Sequence, residues 1–548
     1  MSSILRAENE ADQKTGAEAL SHQTLVDLNL HRAVADITAG KTEYCLEPLY
    51  ALPLTTPDEV LFRQEVFRDL ENPRLSQGLN AFARQLWAVR RNQALGRAAS
   101  YPKEQHRWYL DSVTDYCEAL KGLARTLAEA PLVSAGLKGF RDWLGSYRES
   151  EPFRQLSARQ EALQQELGAI RFCILLDPPD IQVRPWQEEE ELEGPVYNLF
   201  EKFRQGTSRN YLKDYQGSGA MNHLEAQILD RVALMHPETF SRLESFCASA
   251  QDCIDPGIKT FDREIQFYLA YQDYLAPLRQ AGLPLCYPLV YPLVYPLAYP
   301  LAGEPSSSCR QQASLQGDHQ AGDLPRSKPE EPPRIICRGL YDPVLARELI
   351  DQGMKPVEND LSLSPEEQVL VVTGPNQGGK TTFARALGQQ FHLAALGCPV
   401  PGREARFPLS PRVLTHFGKE ENLQELRSAL EDDLHRLEEI LDQTQPGSVV
   451  VLNEIFSSTT LEDALELSRH VLEELRARRA LTVMVTFLDD LAEETPGLVS
   501  LVAGIDPSDQ GSRTFRVIRA PADGRSYAAA VAARYGLTYE QLCQRIGS

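Results

Sequence analysis

The sequence predicts an α plus α/β chain: an elongated, mainly helical N-terminal domain followed by an α/β domain on a mainly parallel sheet. Three observations predict it. From about Thr24 to Leu283 the chain is rich in Leu, Ala, Glu, Gln and Arg, and its apolar residues recur at three- and four-residue spacing. Between Leu285 and Pro333 closely spaced prolines forbid a regular helix. After Ile335 short apolar runs alternate with helical segments, the mark of strands and crossover helices.

The expected organisation is therefore a disordered tail over residues 1–23, a helical domain over 24–284, a Pro-rich insertion or linker over 285–334 and an α/β domain over 335–548. In the helical part, Phe153 to Ile170 and Glu225 to Met235 each carry an amphipathic stripe. The linker contains four Tyr-Pro-Leu steps, beginning at Tyr287, Tyr291, Tyr295 and Tyr299, which read either as passive low complexity or as a polyproline-type ligand for a partner. In the last part the strand candidates are Val369 to Thr373, Val449 to Leu452, Leu481 to Val485 and Thr514 to Ile518.

Composition bounds the function class. Hydrophobic residues at 42% and charged residues at 24% are the balance of a globular protein, and 548 residues call for more than one core. A net charge of −21 argues against coating nucleic acid by bulk electrostatics, while leaving room for a local basic patch. The ten cysteines form no C-x-x-C pair, so neither a zinc knuckle nor a redox motif is indicated. The N-terminus lacks the apolar core of a signal peptide and no run reaches membrane-spanning length, which makes a cytoplasmic protein the expectation.

The run VLVVTGPNQGGKTTFARAL places Gly374, then four residues, then Gly379, Lys380 and Thr381 between an apolar strand and a helix, the G-x-x-x-x-G-K-[ST] pattern. Glycines there let backbone N–H groups turn inward around phosphate oxygens, and the helix N-terminus adds its positive end. Lys380 is placed to reach the β- and γ-phosphates and the Thr381 hydroxyl to ligate Mg2+, so ATP and magnesium are the expected ligands of Gly374, Pro375, Asn376, Gln377, Gly378, Gly379, Lys380, Thr381 and Thr382.

The spelling T-G-P-N-Q-G-G-K-T resembles the loop of the MutS family of DNA mismatch-repair ATPases. The resemblance implies a helical core and lever domain followed by an ABC-type P-loop ATPase domain, reaching here from about Val369 to Tyr527, and a homodimer joined through those ATPase domains. It implies that Asn376 leans over the γ-phosphate, that Val357 and Asn359 in PVENDLSLSPEE lie beside the adenine, and that Glu454 in VVVLNEI polarises the attacking water. It also implies that Ser428 in ELRSALEDDLHRLEEIL caps the phosphate bound by the other subunit. GRSYAAAVAARYGLTYEQL resembles the family's dimer-forming helix, matched by Ser526, Tyr527, Ala530 and Ala533.

The sequence also departs from that pattern. Asn453 replaces the acid that holds the hydrated magnesium, giving up one negative charge beside a divalent cation. Phe487, in VMVTFLDD, stands where the family places a histidine, leaving Thr486 as the polar group of that strand end. IFSSTTLEDALELS keeps Thr459 and Asp463 of the family's subunit-boundary loop and loses its glycines and arginine. The helical part resembles the start of the MutS core only loosely, and no phenylalanine is followed two places later by glutamate, the mismatch-reading wedge.

The stretch best suited to DNA is LNAFARQLWAVRRNQALGRAASYPKEQHRWY, where Arg84, Arg90, Arg91, Arg97, Lys103 and Arg107 outnumber the one acid, Glu104. These cations read as a phosphate-contacting face or as a solvated helix face paired with neighbouring acids. Two functions follow: an ATP-hydrolysing dimer coupling nucleotide state to binding of a nucleic-acid structure other than a mismatch, or a nucleotide-gated protein-interaction module with negligible hydrolysis.

Overall fold

The structure is a computed structural model, and it describes residues 3–6, 18–177, 180–187, 221–249, 252–292, 335–418, 426–492, 495–505, 513–522, 537 and 539–546. It divides into two compact units, one of residues 1–4 and 68–265 and one of residues 5–67 and 266–548.

In the first unit two long helices, Pro73–Ala98 and Pro102–Glu129, each open on a proline in the first turn, where the missing N–H costs no hydrogen bond. They pack along their length, burying Leu79, Phe82, Leu86 and Val89 of one and Val113, Tyr116, Leu120 and Leu123 of the other. The stripes read from sequence are helices Glu151–Gly168 and His223–Met235, the second held by a capping box between Asn222 and Glu225. A hairpin, Phe172–Asp177 with Asp180–Pro185, interrupts this helical texture and was not expected from it. Ser3 and Ile4, read as part of a disordered tail, are instead anchored: the Ser3 hydroxyl and the Ile4 N–H both donate to the Glu264 carboxylate, and Ile4 is buried.

The second unit is built on a six-stranded sheet. Its strands are Val369–Thr373 (β1), Val413–Phe417 (β2), Val449–Asn453 (β3), Leu481–Val485 (β4), Leu498–Ile505 (β5) and Arg513–Arg519 (β6), in the spatial order β2-β3-β4-β1-β5-β6. The first five run parallel and β6 closes the edge antiparallel to β5. The strands β1, β3 and β4 are buried at every residue, which is why they read as unbroken apolar runs rather than as alternation. Helices Lys380–Ala395 (α1), Leu426–Gln443 (α2) and Leu461–Ala477 (α3) follow β1, β2 and β3. Leu437 of α2 and Leu472 and Leu475 of α3 share a core with Val371, Val450, Leu452 and Met484 of the sheet. A second sheet joins Leu289–Tyr291, Glu404–Pro408, Ile335–Leu340 and Asn359–Leu363, so the described start of the Pro-rich tract is extended chain.

Residues 24–67, expected with the helical domain, belong to this second unit. The reason lies in buried polar groups. Gln389 of α1 donates to the Leu28 carbonyl at 2.7 Å, and the His392 ring N–H to the Tyr50 carbonyl at 2.7 Å. Asp27, buried, accepts from the Thr415 hydroxyl at 2.7 Å and from Arg436 at 2.6 Å. Without the N-terminal helices these groups would be orphaned inside the fold. Among the described residues no helix is long and apolar enough to cross a membrane.

Candidate nucleotide site

The loop between β1 and α1 forms because two of its positions need left-handed backbone. Gly374 has φ +116°, and a Cβ there would meet the Ala503 backbone nitrogen at 3.0 Å; Gly379, at φ +93°, is the N-cap of α1. Gln377 also takes a positive φ, 58°, and its side-chain oxygen accepts from Arg513 of β6 at 2.6 Å. The loop is thus braced from the edge strand β6.

Lys380 begins α1. Its ammonium is buried, donating to the Gly374 carbonyl at 2.7 Å and to the Pro375 carbonyl at 3.4 Å. On another side the ammonium lies 4.3 Å from the centroid of the Phe487 ring, a cation–π contact, so the phenylalanine meets the loop lysine. Burial lowers the Lys380 pKa, and the charges of Glu454 and Asp489 oppose that shift.

A cavity of about 560 Å³ opens beside the loop. It is lined by Asn376, Gln377, Gly378, Gly379, Lys380, Thr381, Thr382, Val357, Asn359 and Glu454, so the structure brings together ten of the residues singled out from sequence. Its apolar wall is Leu340, Tyr341, Leu345, Leu349, Met354, Pro356 and Phe515, none of which carried a sequence signal. A polar floor with an apolar wall has the lining expected for a triphosphate joined to a flat aromatic base. Asn359 is held at the junction: its Oδ1 accepts from the Val517 N–H at 2.7 Å and its Nδ2 donates to the Phe515 carbonyl at 3.3 Å.

At the end of β3, Thr381 donates its hydroxyl hydrogen to the Asn453 side-chain oxygen at 2.8 Å. The next residue, Glu454, has φ +53° and donates its backbone N–H to the Val485 carbonyl at 2.9 Å. That turn brings Glu454 to the cavity lined by Lys380 and Thr381. Thr486 is buried, its hydroxyl oxygen accepting from the Leu488 N–H at 3.1 Å. Thr459 and Asp463 lie at the start of α3, where Thr460 caps the helix and donates to Asp463 at 2.7 Å.

Ser428 is the third residue of α2, and its side chain lies outside the described residues, as do Ser526, Tyr527, Ala530 and Ala533. The basic residues belong to the other unit. There Arg90 pairs with Asp262 at 2.7 Å, Lys103 with Asp230 at 2.5 Å and Arg107 with Asp111 at 3.5 Å, while Arg84, Arg91 and Arg97 are exposed.

Residues 370–542 match the family model for MutS domain V. The chain is 32% identical over 200 residues to the DNA mismatch repair protein MutS of Solibacter usitatus, covering 36% of this chain and 23% of that protein. It is 32% identical over 189 residues to endonuclease MutS2 of Thermus thermophilus, covering 34% of this chain and 25% of that one. It is 34% identical over 192 residues to the DNA mismatch repair protein MSH3 of Pyricularia oryzae, covering 35% and 16%. The matched stretch thus spans a quarter or less of the length of these curated relatives.

Proposed function

The chain is MutS-related through its domain V, and from that premise we propose that it binds and hydrolyses ATP as a homodimer, coupling nucleotide state to binding of a DNA structure. The observation that carries the reading is the convergence of Lys380, Thr381 and Glu454 on one cavity beside a strand–loop–helix phosphate cradle. In this reading residues 335–548 are an ABC-type P-loop ATPase domain and its C-terminal segment joins the two subunits. The backbone of Asn376 to Thr382 holds the phosphates, Lys380 leaves its loop carbonyls for the β- and γ-oxygens, and the Glu454 carboxylate orients and polarises the attacking water. Val357, Asn359 and Phe515 flank the base, and Ser428 reaches the partner subunit's site.

Thr381 and Asn453 fit a magnesium ion, since a hydroxyl and an amide carbonyl are hard neutral oxygen donors within 2.8 Å of each other. Bound there, the ion would neutralise charge on the β- and γ-phosphate oxygens. The ligand in this reading is a nucleic-acid structure other than a mismatch.

Steady-state ATP hydrolysis tests the reading. Lys380→Ala and Glu454→Gln are each expected to lower turnover by about 100-fold or more. Measured with duplex, branched and single-stranded DNA, wild-type turnover should be stimulated by one member. A wild type no faster than Glu454→Gln would overturn the enzyme. That outcome would leave a second reading, a nucleotide-gated protein-interaction module, which two observations favour: the neutral Asn453 at the metal position and the Phe487 ring against Lys380.

A further inference from the structure

The helix Pro73–Ala98 is unusual in a chain of net charge −21: it carries Arg74, Arg84, Arg90, Arg91 and Arg97 and no Asp or Glu. Its buried face is ordinary, with Leu79, Phe82, Leu86 and Val89 in the core and Arg90 paired with the buried Asp262. Its solvent face is not. Arg84, Trp87 and Arg91 fall at i, i+3 and i+7, so they share one side of the helix, and all three are exposed, the indole at 50%. The Arg91 guanidinium lies 5.7 Å from the Trp87 ring centroid. Among the described residues neither Arg84 nor Arg91 has an acidic partner, whereas Arg90, Lys103 and Arg107 do.

An exposed tryptophan flanked by guanidiniums with no acidic partner among the described residues has two capacities to offer, stacking a flat π system on its open ring face and neutralising phosphate. We propose that the Arg84–Trp87–Arg91 face is a contact surface for single-stranded nucleic acid, Trp87 stacking on an unpaired base while Arg84 and Arg91 meet the backbone on either side. Charge complementarity selects the occupant: the face is positive in a strongly acidic protein, and splayed bases offer the ring face that a stacked duplex withholds. The inference rests on the reading that the chain binds nucleic acid and names the strand form and the residues.

The test is fluorescence anisotropy of a labelled oligothymidylate of about 20 nucleotides, long enough to span a stacking platform. The full chain is used in the absence of nucleotide, and ATP hydrolysis by the same wild-type preparation is measured in parallel so that failure of the ATP reading is seen separately. Trp87→Ala is expected to weaken binding by roughly 5- to 150-fold, the range of one lost base–aromatic stack, and Trp87→Phe to retain most of it. The double variant Arg84→Gln/Arg91→Gln should flatten the plot of log affinity against log salt by about 1.4, two single-strand phosphate contacts. Equal affinity of Trp87→Ala and wild type, a salt slope unchanged in the double variant, or binding of duplex alone would each overturn the proposal. So would an acidic peptide that binds the face while the oligonucleotide does not. Should Trp87→Ala fail to fold, Trp87→Phe and the arginine variant still decide.

Discussion

Thr381 donates to the side-chain oxygen of Asn453 across 2.8 Å, at the junction of the phosphate loop and β3. The hydroxyl is at the loop position that ligates magnesium in P-loop proteins, and its partner here is neutral. Asn453→Asp keeps the acceptor and adds a negative charge at the position proposed to hold the cation. The half-saturating magnesium concentration for ATP hydrolysis is expected to fall about tenfold, because a carboxylate near a divalent cation gains at least about 1 kcal/mol for each unit of the ion's charge even when well screened. Asn453 is buried, so the nucleotide-free variant should be less stable than wild type and regain stability with Mg2+ and ATP. An unchanged magnesium dependence would show that this pair lies outside the metal site.

Phe487 faces the loop lysine at 4.3 Å but has no donor to offer a phosphate. Phe487→His places an N–H at the same strand end, and turnover is expected to rise by about tenfold or more if one hydrogen bond is gained to charge developing in the transition state. Phe487→Leu keeps apolar bulk and gains no donor, so it should not rise. Single-turnover hydrolysis separates the two, and equal rates for both variants would remove position 487 from the chemistry.

What was legible in the sequence was what local chemistry decides. The strands β1 and β4 were readable to the residue because burial on both faces demands an unbroken apolar run, and the loop after β1 was readable because its glycines and lysine are neighbours in sequence. The strand β2 was not, since Thr415 and His416 interrupt its apolar pattern. Both are buried with distant groups bonded to them: Asp27 accepts from the Thr415 hydroxyl, and Asp433 pairs with His416 Nε2 at 2.9 Å. The same holds in the cavity. Phe515 and Leu340 reach it from strands far from the loop in sequence, and only the fold brings them there.

Asp27 is the clearest case of such long-range satisfaction. Its carboxylate takes the Thr415 hydroxyl and the Arg436 guanidinium, and it is 6% exposed. Asp27→Ala leaves a half-buried guanidinium without its carboxylate and a buried hydroxyl without its acceptor. Loss of about 3 kcal/mol in urea unfolding is expected, the cost of breaking a buried pair from one side. Asp27→Asn, which retains an acceptor for Thr415, should lose less; equal losses would assign the effect to charge alone.

His392 ties α1 to the N-terminal helices by donating to the Tyr50 carbonyl, and full burial pushes its pKa down to about 4. In the unfolded chain the ring titrates near 6.5, so between those values the unfolded state binds the proton that the folded state refuses. The folded pKa is depressed: its contribution is fully present above about pH 6.5 and is lost as pH falls toward about 4. His392→Gln keeps an N–H donor and cannot titrate. Its Tm, measured from pH 7.5 to 4.5, is expected to fall less than that of wild type, with the two curves diverging only below about pH 6.5. Parallel curves through that window would mean that His392 is charged in the folded protein, and that the contact with Tyr50 is made by an imidazolium.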